Sequence, residues 1–61
     1  MTSITTKELS AISDLLTMEQ TVVAKYRAFA EQTTDSAIKN CYEQLAMRHQ
    51  RHFEELYANL K

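Results

Sequence analysis

Sixty-one residues make one domain at most, and a single cysteine excludes an intrachain disulfide as its support. Seven Lys+Arg against eight Asp+Glu give a formal charge of −1, with no broad positive field for DNA or RNA. No apolar run approaches the roughly 20 residues of a membrane span, and the opening MTSITTKELS lacks the apolar core of a signal peptide, so a cytoplasmic protein is expected. Glycine and proline are both absent. That removes phosphate-cradling loops and tight hairpin turns, and favours long helices with few corners.

Residues 1–5 read as a frayed end. Thr5 followed by Glu8 is a capping box, in which a hydroxyl serves an orphan amide and a carboxylate reaches back. The first helix is therefore expected over about 6–32. Its apolar seam runs Leu9, Ile12, Leu16, Glu19, Val23, Tyr26 and Ala30, at alternating spacings of 3 and 4. Leu15, Val22 and Phe29 add a flanking row at heptad spacing, wider than a two-stranded seam needs. Met18 and Met47 are expected to fill core space.

Thr33, Thr34 and Asp35 are the one break in the pattern, with Asp35 a good N-cap. The second helix is expected over about 36–59. Its seam runs Ile38, Tyr42, Leu45, His49, His52 and Leu56. Cys41 reads as a small buried hydrophobe. Arg48 and Arg51 should point to solvent. A connection this short makes the two helices antiparallel neighbours. Facing residues then have numbers that sum to about 68, as Glu19 with His49, Val23 with Leu45, and Tyr26 with Tyr42 do.

The one carboxylate of the first seam thus falls level with one histidine, and the second histidine lies a turn away. Polar groups in a packed seam cost free energy unless paired. Glu19 with His49 can be a hydrogen-bonded pair that sets register. Glu19, His49 and His52 can equally hold a divalent transition metal such as Fe, Zn, Mn or Ni, since carboxylate plus imidazole suits those ions. Tyr26 and Tyr42 are expected beside this group, with hydroxyls bonded to seam carboxylates. Two wide apolar stripes cannot bury each other fully, so a homodimeric four-helix bundle is expected.

Glu19 with Tyr26 seven residues on, followed by a helix with His49, His52, Phe53 and Leu56, resembles half of a ferritin-like carboxylate bundle. Within that superfamily it is similar to the small spore-coat proteins of endospore-forming Firmicutes. By that resemblance Glu19 matches the glutamate of the first helix, and His52 the histidine of the Glu-x-x-His motif. His49 stands where the motif has its glutamate. The exchange halves the carboxylates of a dimer, leaving two negative charges, enough for one divalent ion. The expected protein is a non-enzymatic structural one, partnered with itself and with other spore-coat proteins, with a vestigial or mononuclear metal site. The rival expectations are a metal-handling or oxidoreductase bundle with a working Glu/His centre, and a plain oligomerisation hairpin.

Overall fold

A computed structural model of the chain describes residues 4–60; residues 1–3 of the expected frayed end lie outside the described residues. The chain is all-helical: α1 spans Thr6–Gln32 and α2 spans Ser36–Ala58. The two run antiparallel as a hairpin of 47 × 17 × 10 Å.

The ends of both helices are explained by local hydrogen bonds. At the start of α1 the Glu8 amide donates to the Thr5 hydroxyl oxygen at 3.1 Å. In return the Thr5 amide donates to the Glu8 carboxylate at 3.0 Å, which completes the capping box. The corner needs no glycine, because no described residue takes a positive φ. Thr33 leaves the helix with an extended backbone, while its amide still donates to the Phe29 carbonyl. Its hydroxyl oxygen accepts from the Asp35 amide at 3.2 Å. Asp35 Oδ1 then accepts from the amides of Ala37 and Ile38 at 2.9 and 3.1 Å. One carboxylate oxygen thus serves two of the orphan donors of α2. Asn59 closes α2, its side-chain amide donating to the Glu55 carbonyl.

Packing is concentrated on a narrow seam. Val23, Ala30 and Ala46 are the buried residues among those described. Ile12, Leu16, Glu19 and Tyr26 on α1 are half-buried, as are Tyr42, Leu45, His49, Phe53, Leu56 and Leu60 around α2's side of the seam. The row Tyr42–His49–Leu56 faces α1 as the sequence pattern predicts. The second row does not. Ala46, Phe53 and Leu60 lie toward α1, whereas Ile38 and His52 of the predicted row 38–45–52 are exposed. A straight helix drifts about 20° per heptad against a 3.5-residue repeat, and small Ala46 lets the helices close up on its own side. Leu9, Met18, Met47 and Cys41 are exposed too, where seam, core or buried positions are predicted. A hairpin two helices thick has one seam, and these side chains fall outside it.

The hairpin therefore has two unlike faces. One is a polar groove lined by Arg27, Glu31, Lys39 and Glu43, floored by Ala30 and Ala46. The other carries the heptad row Leu15–Val22–Phe29 of α1 and the row Ile38–Leu45–His52 of α2. Phe29 and Tyr42 meet on this side with ring centroids 5.4 Å apart.

Candidate metal centre

Glu19 is the midpoint of α1, thirteen residues from each end. The register sum of 68 carries its carboxylate straight to α2. Glu19 Oε1 lies 2.8 Å from His49 Nδ1, and Glu19 Oε2 lies 3.2 Å from His52 Nδ1. One carboxylate thus engages two imidazoles, one per oxygen. The histidines are a turn apart on one helix, so both reach the same glutamate. Their rings meet edge-on, centroids 5.3 Å apart.

Burial grades across the cluster. The side chains of Glu19, His49 and His52 keep 14%, 26% and 47% of their surface. Glu19 sits between the helices, and His52 opens to the surface. A shallow cleft beside it is lined by Glu19, His52, Glu55, Leu56 and Asn59. Glu55, exposed and three residues after His52, lies on the same side of α2.

Aromatic rings run from the cluster toward the corner. Tyr26 lies 5.7 Å from His49 and 6.0 Å from Tyr42, centroid to centroid. The expectation for these tyrosines is corrected in one respect. Among the described residues neither hydroxyl bonds a seam carboxylate; the rings pack on one another and on His49 instead.

The cluster can work in two chemical states. A carboxylate only accepts, so without a metal the hydrogen of the Glu19–His49 bond sits on His49 Nδ1, while His52 Nδ1 lies at ion-pair distance from the other oxygen. With a metal, one ligand atom from each of Glu19, His49 and His52 is available, all within 4.8 Å of one another. Bonds of about 2.0–2.1 Å in a tetrahedral site put neighbouring ligand atoms about 3.3 Å apart. The 2.8 and 3.2 Å contacts are made by the two different oxygens of Glu19, and the three ligand atoms spread over up to 4.8 Å, so the side chains would draw together around an ion. Binding in this way releases protons.

The chain matches no family model, no curated protein and no solved structure at a significant level.

Proposed function

We propose that this chain is a small structural protein that dimerises into a four-helix bundle and holds a divalent transition metal on Glu19, His49 and His52. The observation that carries the metal is the double engagement of Glu19, with Oε1 and Oε2 on two imidazoles at 2.8 and 3.2 Å. A pair that only sets register needs one histidine in the seam. The second, His52, lies outside the seam and still turns to the same carboxylate. Nitrogen and oxygen donors of this kind suit Zn, Fe, Mn or Ni. A place in the spore coat beside other coat proteins is part of the proposal and rests on the sequence resemblance.

Surface area supports the dimer. The chain weighs 7.1 kDa and exposes 4988 Å². A compact monomer of that mass exposes about 4,100 Å². The excess of about 900 Å² is close to the roughly 800 Å² that each partner buries in a standard interface. Leu15, Met18, Phe29 and Ile38, all exposed, supply apolar surface on the face that a second copy would cover.

Thermal melts of untagged protein, with EDTA and with added Zn, Mn, Ni or Fe(II), test the metal. At free ion 100 times its dissociation constant, stability should rise by roughly 2.7 kcal/mol. Glu19→Ala should remove the gain. A gain that survives Glu19→Ala places the ion elsewhere, and no gain with any of the four ions refutes the metal reading.

A further inference from the structure

We infer that Glu55 is the fourth ligand of the ion, so that one hairpin closes the site by itself and each chain carries its own metal. The inference rests on the metal-holding reading above. Glu55 stands where the Glu-x-x-His pattern assigns nothing, since it follows His52 by three residues instead of preceding it. Residues three apart share a side of a helix. Both line the cleft beside the cluster, with Glu19, Leu56 and Asn59. Glu55 is the one carboxylate of that lining besides Glu19.

Two observations set this glutamate apart. One is that its carboxylate, among the described residues, has no hydrogen bond or ion pair. Asn59 donates to the backbone carbonyl of Glu55 and leaves the side chain free to turn. Glu54, next in the chain, is by contrast engaged by the Gln50 amide at 3.4 Å. The other observation is position. α2 ends at Ala58, so Glu55 lies in the last turn, where a negative charge opposes the helix dipole. The helix itself gains nothing from a carboxylate there.

Charge gives the second carboxylate its purpose. Ligating imidazoles are neutral. Glu19, His49 and His52 therefore leave a divalent ion with one net positive charge. Glu19 keeps only 14% of its surface, and an uncompensated charge beside so buried a group is costly. Glu55 cancels that charge. It also completes the count, because the cluster offers one ligand atom from each of three residues and a tetrahedral site takes four. Tyr26 packs on His49 from the corner side, and the cleft opens toward the other end of the hairpin, so the cleft is where a fourth ligand enters. Glu55 is not within the 4.8 Å group of the other three. It reaches the ion by turning an exposed side chain that has no partner to give up.

Zinc titration of the full chain against a chromophoric chelator, with thermal melts in EDTA and in zinc, tests this. One zinc should bind per chain. Glu55→Gln keeps the size of the side chain and removes its charge. It should raise the zinc dissociation constant about tenfold or more, the least that losing a residue behind the ligands usually costs. Glu54→Gln should leave that constant unchanged. In EDTA, Glu55→Gln should melt at or above the wild-type temperature, since a charge opposing the helix dipole is gone; in zinc it should melt below. Wild-type zinc affinity in Glu55→Gln, one zinc per two chains, or a Glu55→Gln melt below the wild type in EDTA overturns the fourth ligand and leaves the metal reading standing. A wild-type chain that binds no zinc overturns both.

Discussion

Two leucines of equal chemistry and near-equal exposure separate the faces of the hairpin. Leu15 keeps 43% of its surface and Leu9 keeps 48%. Leu15 belongs to the apolar row with Val22 and Phe29. Leu9 precedes Arg27 by eighteen residues, five full turns of a 3.6-residue helix, and so shares the side of the polar groove. Full burial of a leucine is worth about 1.5–3 kcal/mol. With 43% of Leu15 left to bury, docking a second copy gains about 1 kcal/mol from each Leu15, and about 2 kcal/mol per dimer. Leu15→Ala should thus weaken the dimer about 30-fold, at 1.4 kcal/mol per factor of ten. The part of Leu15 already covered within the hairpin is lost too, offset only in part by alanine's better helix propensity, and the same holds for Leu9→Ala, so the two variants compare like with like. Leu9→Ala should move the same constant less than about threefold, since the proposed partner covers the opposite face. Sedimentation equilibrium of both variants at matched concentrations reads the difference. A dimer weakened more by Leu9→Ala than by Leu15→Ala would refute the assignment of the faces. A wild-type chain that stays a folded monomer at micromolar concentration would refute the dimer.

Ala46, 2% exposed, is the most buried residue described, so Ala46→Leu should cost about 1–3 kcal/mol by overpacking while the exposed Met47→Leu next to it is near neutral. Thermal melts compare the two, and equal stability of the Ala46 and Met47 variants would show that the seam does not run through Ala46. The capping box makes a pH prediction of definite sign. Hydrogen bonds from the Thr5 amide, and next from its side chain, hold the Glu8 carboxyl below its usual value of 4.5. A lowered folded value means a contribution present above the unfolded value and lost as pH falls through the folded one. Melting temperature should accordingly fall less steeply between about pH 5 and about pH 3 in Glu8→Gln than in the wild type, and parallel curves would refute the box as a pH-dependent element.

Much of this fold is legible because it is local. The Thr5–Glu8 box and the Asp35 cap depend on hydrogen bonds between residues two or three apart, and a three-residue corner leaves the antiparallel register little freedom. That register is why Glu19 and His49, thirty residues apart, can be placed level from their numbers alone. What is not legible is which flank of α2 turns inward. The rows 38–45–52 and 46–53–60 both look apolar enough, and the pattern of one helix does not say on which side its neighbour lies. The sequence pattern favours the first row, since alanine is a weak marker of a core and Ile38 and Leu45 are strong ones. The structure turns the second row inward, with Ala46 the most buried residue described.

The ambiguity carries physical information. A helix with one neighbour needs one apolar stripe, and a second stripe beside it has no use in a two-helix hairpin. Both helices of this chain have two. In α1 the seam through Glu19 and Val23 is accompanied by Leu15–Val22–Phe29, and in α2 the seam through Ala46 and His49 is accompanied by Ile38–Leu45–His52. The two surplus rows fall on the same side of the hairpin, since Phe29 reaches Tyr42 across it and His52 reaches Glu19. Random scatter of hydrophobic residues would not collect them there. A 61-residue chain that keeps leucine, valine, phenylalanine and isoleucine in register on one face has the surface that the proposed second copy would cover. His52, at the end of that surplus row, then stands between the seam of the hairpin and the face of the proposed partner.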